Sequence, residues 1–393
     1  MLAKRQSVFL GLLLGLNIFA FQEIALGHER MLENEQYVPA ERYTDTTLIS
    51  GPSLYLNERQ VILAQFEDSQ DKKQIGFLLD QAEARLTVSG KDEEYIHDVY
   101  RMLRQLSCVK LKIQRQEKEI RSLLLRQVVE QLADPLQVNQ GSRRTCALTV
   151  LEQKSYFSEP AVAIKMILHT VQGKSAVDKL SLLPDEEALV APSVYGKRSF
   201  ASQLFQIGLA NMYWSKRSRD PFGRSVVLGS IVYVQHIEEG LMIRDQNGAM
   251  RELLDPCGQP VHHPALRLCD LNELWSQLID SRGQKVTLGN DTYAFNKNGE
   301  SFGSPDDLVE LLSQVQSQHR LPMIVAVTSQ SQSNKRSKNW HAALVLSFDA
   351  QTGTAVVSDW YVNGQRCQRA IRLSVNNLFR ASAPVAPVIA LAQ

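Results

Sequence analysis

The segment VNQGSRRTCALTVLEQ, residues 138–153, sets a glutamine six positions ahead of a cysteine, Gln140 and Cys146, with Arg143 and Arg144 between them. The thiolate is the reactive form of cysteine, and the exposed N–H groups and dipole of a helix N-terminus lower a thiol's pKa. Thr145 is suited to cap the apolar-periodic run that follows, which places Cys146 in a first helical turn. A nucleophilic thiol also needs a base, normally a histidine held by a third polar group. Of the eight histidines, His341 fits that post: it opens the apolar run HAALVLSF just past a polar loop. Asp359, in VVSDWYV, follows after one turn. Two antiparallel strands joined near 350–353 would bring His341 and Asp359 to one end of a hairpin, where the carboxylate can fix the imidazole tautomer. Gln140, with the backbone N–H of Cys146, could donate to a developing oxyanion. These four side chains together are the parts of a covalent acyl-transfer site.

Each part has an ordinary reading when taken alone. Cys146 fits an inert buried thiol, His341 a strand-end histidine, Asp359 a salt-bridged strand-end carboxylate and Gln140 a solvated loop residue. The order Gln, Cys, His, Asp on loop, helix start, strand start and adjacent strand is what raises the catalytic reading.

The elements that must position these groups are legible in the pattern. The chain has 393 residues, 44% hydrophobic and 22% charged, with a formal net charge of +1. That composition is ordinary for a globular protein and offers no electrostatic case for a nucleic-acid partner. At the start, Lys4 and Arg5 precede an apolar run from Ser7 to Phe21, and Ala25 and Gly27 supply a small-residue exit. Residues 1–27 therefore read as a secretory signal, with an uncleaved N-terminal membrane anchor as the competing reading. The run is shorter than the ~20 residues a bilayer span needs, and no later run approaches its length, so no stable membrane span is expected after signal removal. The expected destination is the periplasm or the exterior.

Residues 28–72 are polar and turn-rich and read as a largely irregular leader with room for short ordered pieces. From 73 to 135 the spacing of Ile96, Val99, Leu103 and Leu106, and of Leu124, Val128 and Leu132, predicts a helical extension that Asp134-Pro135 ends. Residues 136–393 are taken as one domain. Within it, helices are predicted from Cys146 to about Phe157, over roughly 160–171 with Pro160 at the first position, and over 200–215. Beyond Pro221 branched and aromatic residues mark strands, interrupted by a helix with Ser304 as its cap. Helices first and an antiparallel sheet last predict an α+β fold.

On the motifs QGSRRTC, WHAALVLSF and SDWYVNG the chain resembles the papain-like cysteine peptidases, as an outlying member. That family carries its nucleophile six residues after the glutamine of a Gln-Gly-Ser segment, then His-Ala-Val at a strand start and Asn-Ser-Trp-Gly on a following strand. The resemblance implies Cys146 as nucleophile, His341 as base, Asp359 as orienter in place of asparagine, and Gln140 in the oxyanion hole. It also implies a helical subdomain carrying the cysteine, packed on an antiparallel sheet carrying the histidine and aspartate. Arginines replace the small residues before the cysteine, Ala147 stands where the main family has tryptophan, and the Cys–His separation is long. Peptidase, amidase and acyltransferase or transglutaminase-like chemistry share the thioester step and are not separated by these residues.

Cys257, His262, His263 and Cys269 lie close together, but adjacent histidines do not match common zinc spacings. A Cys257–Cys269 disulfide is the expectation for an exported loop. Five cysteines leave an odd thiol, which is compatible with Cys146 free and Cys108, Cys257, Cys269 and Cys367 paired or buried. His169 and His236 read as core-edge residues, Tyr213 and Trp214 as core, and Asn363 as a turn residue. No cofactor and no metal are expected. The expected partner is a protein or peptide substrate, and the helical extension could seat a further partner. The rival expectation is a non-catalytic exported helical interaction protein.

Overall fold

The computed structural model describes residues 55–111, 117–138, 145–173, 198–235, 239–266, 270–280, 292–293, 304–328, 340–358, 361–362, 365–366 and 370–382. Helices α1 (Leu56–Leu63), α2 (Ser69–Val88), α3 (Glu93–Ser107) and α4 (Glu117–Ala133) come first. The Asp68 carboxylate accepts from the Gln70 and Asp71 amides to start α2, and Asp92 accepts from Tyr95 N to start α3. Both satisfy backbone donors that a helix start leaves without intrahelical partners. On α3, Ile96, Val99, Tyr100, Leu103 and Leu106 form one buried stripe, the spacing that a 3.6-residue period requires. Helix already begins at Leu56 and again at Ser69, which corrects the irregular leader expected as far as residue 72. The sequence hid α1 because it is short and only Ile62 in it is fully buried.

The centre of the molecule is built from α5 (Cys146–Ser158), α6 (Pro160–Val171) and α7 (Phe200–Ser215), close to the expected bounds. Every residue of α5 from Ala147 to Tyr156 is buried. A helix that is sunk on all sides has no solvent face on which to place its polar residues. In α7, Gly208 lies so close to α6 that a Cβ there would meet Thr170 Oγ1 at 2.1 Å. Only glycine allows the two helices that approach. The Arg85 guanidinium donates to Leu132 O at 2.8 Å and Tyr156 O at 2.9 Å, which braces α2 against the ends of α4 and α5.

Strands β1 (Ile231–Gln235), β2 (Glu239–Arg244) and β3 (Met250–Glu252) form an antiparallel sheet in that order. Helix α8 (Asp270–Asp280) follows, an element the sequence pattern did not announce. A five-stranded sheet has the order β10-β7-β6-β5-β4, from β4 (Thr292–Tyr293), β5 (Met323–Thr328), β6 (Trp340–Asp349), β7 (Thr354–Ser358) and β10 (Ile371–Ser374). Its pairings are antiparallel except β4 with β5. Strands β8 (Tyr361–Val362) and β9 (Gln365–Arg366) pair separately. Helix α9 (Pro305–Ser317) opens on a capping box between Ser304 and Asp307, and α10 (Val375–Ser382) is the last described helix.

One apolar cluster runs from Tyr55 through all of α1–α7 and β1–β2 to Ile324, Ala342 and Leu344. The N-terminal helices therefore share a core with the rest. A second cluster holds Leu308, Leu312, Val315, Val325, Val327, Ala343, Val345 and Leu378 on the other face of the five-stranded sheet. The protein is a mixed α+β fold with helices packed on antiparallel sheets, and no helix among the described residues is long and apolar enough to cross a membrane.

Candidate functional site

Cys146 is the first residue of α5, and it is neither fully buried nor fully exposed. Thr145 occupies the cap position but makes no side-chain cap bond, and its hydroxyl is buried without a hydrogen-bond partner. Thr145 is thus the N-cap by position, as expected, but its side chain takes no part in the cap. Burial of the residues that follow Cys146 holds α5 in place, and its polar side chains tie it to the five-stranded sheet. Gln153 accepts from Ser358 Oγ at 3.1 Å and donates to Val138 O at 3.3 Å. Lys154, 3% exposed, donates to Pro322 O at 2.6 Å and lies 4.9 Å from the centre of the Trp275 ring.

These tethers place α5 against β5 and β6. Ser358 pairs with Leu344, so Gln153 sits at the level of Leu344. Lys154 reaches Pro322, next to Met323, whose partner is Val345.

Helix α5 and the His341 side chain belong to different faces of the five-stranded sheet. Side chains alternate along a strand, and directly opposed residues share a face. His341 pairs with Val327, and Val327, Ala343 and Val345 all lie in the second cluster beneath α9 and α10. Helix α5 packs on the face of Ile324, Ala342 and Leu344. His341 is 5% exposed, so its imidazole is held rather than free in solvent. A direct Cys146–His341 contact requires the imidazole to turn round the start of β6, which strand alternation alone does not provide. Asp359 and Gln140 lie outside the described residues, as do Arg143, Arg144, His236, Cys269, Cys367 and Asn363.

Sequence reasoning missed a polar layer between α5 and α7. Gln206 Nε2 donates to Glu152 Oε2 at 2.9 Å and to Thr149 Oγ1 at 3.2 Å, and Arg198 Nη1 donates to Gln206 Oε1 at 3.1 Å. All four residues are buried. Tyr156, one turn beyond Glu152, has a buried hydroxyl without a hydrogen-bond partner. Burial first, and then the charge of Glu152, push the Tyr156 phenol well above its ordinary pKa. The signal was present: Thr149 and Glu152 interrupt an apolar run at helical spacing, on the stripe that Thr145 begins and Tyr156 ends.

The Cys257–Cys269 disulfide is also corrected, because Cys257 is a free, exposed thiol, and so is Cys108. The scheme that left only Cys146 unpaired fails with it. His263 Nδ1 accepts from Ala265 N at 2.9 Å. Among the described residues no group of three or more His, Cys, Asp and Glu side chains is placed to hold a metal ion. A cavity of about 320 Å³ is lined by Pro221, Phe222, Asp255, Pro260, Val261 and His263, with no residue of α5 or the five-stranded sheet. His169 is half-buried at the end of α6, and Tyr213 and Trp214 are core residues.

No protein-family model, curated protein or solved structure matches the chain.

Proposed function

We propose that the chain is an exported cysteine hydrolase, a peptidase or amidase of papain-like plan, whose first 27 residues direct it to the periplasm or the exterior. The observation that supports this most is the position of Cys146 in the first turn of a buried helix that packs on the sheet carrying His341. In the reaction the Cys146 thiolate attacks the carbonyl carbon of an amide, with its proton held by His341. The tetrahedral oxyanion is met by the Cys146 N–H and the Gln140 amide. Collapse expels the amine, which takes the proton from the imidazolium and leaves a thioester. Water, deprotonated by His341, then releases the acid and regenerates the thiol. Asp359 holds the imidazole tautomer. Transfer of the acyl group to an amine instead of water would make the same site an acyltransferase.

The face that His341 occupies favours a second reading, a non-catalytic exported interaction protein. Iodoacetamide labelling of the folded protein across pH 4–9, read by mass spectrometry, separates the two. The hydrolase reading expects Cys146 to label selectively below pH 7 and to lose that behaviour in His341→Ala. A Cys146 that stays silent, or that labels near the unperturbed thiol pKa of ~8.5 in both proteins, sinks the Cys–His pair.

A further inference from the structure

The three-stranded sheet treats its two outer edges differently. At β1 the edge is closed by one side chain: Asn211 Nδ2 donates to Tyr233 O at 3.0 Å, and Tyr233 N donates to Asn211 Oδ1 at 2.7 Å. At β3 no described side chain makes a comparable bond. Asp245 N donates to Ala249 O and Leu253 N donates to Leu241 O, so residues 249, 251 and 253 turn their backbone groups toward β2. By alternation Met250 and Glu252 turn theirs outward. All three β3 residues are exposed, and β3 ends the sheet order. Past Glu252 the edge stops, because the Arg224 guanidinium takes Leu254 O. An exposed pair of donor–acceptor residues spaced two apart is a template that only another extended backbone matches.

We propose that the β3 edge is an interaction surface that binds an extended segment of a partner protein by antiparallel strand addition. The side chains specify the segment. Neither Arg251 nor Glu252 makes an ion pair with any described residue. A strand added antiparallel faces Glu252, Arg251 and Met250 in its own chain order, so the complementary run is basic, acidic, apolar, as in Lys-Glu-Val. A second copy of this chain is a poorer occupant. Self-pairing that uses both Met250 and Glu252 sets Arg251 against the Arg251 of the other copy, and directly opposed like charges are destabilising.

The test uses the full chain and two blocked, fluorescein-labelled hexapeptides of equal composition, Thr-Val-Lys-Glu-Val-Thr and Thr-Val-Glu-Lys-Val-Thr, followed by fluorescence anisotropy. The first is expected to bind about fivefold more tightly, and the preference to invert in the double variant Arg251→Glu, Glu252→Lys. N-methylation of the first peptide at its lysine and second valine should abolish binding, whereas methylation at the glutamate should not. That comparison uses the unsubstituted protein and stands even where the double variant fails to fold. Absence of saturable binding by either peptide overturns the proposal, as does indifference to the position of the methyl groups. A dimer in sedimentation that the double variant dissociates would assign the edge to a second copy and overturn it as well.

Discussion

Two helix interfaces in this molecule use the same chemistry at different depths. Between α5 and α7 the Glu152 carboxylate accepts from Gln206, with both residues at 0% exposure. Between α2 and α3 the Glu83 carboxylate accepts from the Tyr100 hydroxyl at 3.2 Å, and Glu83 is only half-buried. Around Glu83 some neighbours reach water: Arg59 bonds Asp80 and Gly76 O, and the Arg59 and Asp80 side chains are 19% and 40% exposed. Tyr55 and Tyr100 stack in the interior with ring centroids 4.9 Å apart. In the deep interface water cannot replace a lost partner, so each bond there is worth more when broken than when made. Depth therefore decides how much each bond is worth when it is broken. Helix α5, which begins at Cys146, is tied at this depth through Gln153, Lys154 and Glu152, which bond to three different neighbours.

The largest effect should come from Gln206→Leu. The substitution removes one amide that serves Glu152, Thr149 and Arg198 together. Leaving a buried carboxylate short of a donor is expected to lower unfolding free energy by roughly 2–4 kcal/mol in urea titration. A loss under ~0.5 kcal/mol would mean that the layer is not structural. Tyr156→Phe probes the same interface in the opposite sense. Its hydroxyl is buried without a hydrogen-bond partner, so deleting it removes a desolvated group and no bond. The expected change is small, within about 1 kcal/mol and toward greater stability. A destabilisation of ~2 kcal/mol would instead reveal a partner such as an ordered water.

Much of this architecture was legible because helices α5, α6 and α7 carry apolar residues at helical spacing with clear stops, and their bounds fall within a residue of expectation. Ser304 declared its helix in the same way, through a capping box. Helix α8 went unseen because its signal lies within a turn-rich stretch, and α1 because eight residues give too little period to read. The candidate site was legible only in part. Spacing along the chain identifies Cys146 as a helix start and His341 as a strand start, and both are so placed. Spacing cannot say which face of a sheet a strand-end residue takes, because a shift of one residue in register exchanges the faces. That parity is fixed by the pairing of His341 with Val327, a relation between segments that no local motif records.

The smallest effect, and the one that tests depth most directly, is the pH response of Glu83. Burial holds its carboxyl above the usual range, and the Tyr100 hydrogen bond and the Arg59 charge only partly oppose this. The folded protein thus binds this proton more tightly than the unfolded chain, whose glutamate pKa is ~4.3. Stability from this group is fully present below that value and is lost as pH rises through the higher folded pKa. In Glu83→Gln the oxygen that accepts from Tyr100 is kept and the titration is removed. The thermal midpoint of the variant relative to the parent should therefore climb as pH rises above about 4, by no more than a few degrees. A difference that stays flat as pH rises would mean that burial does not hold the Glu83 proton in the folded protein.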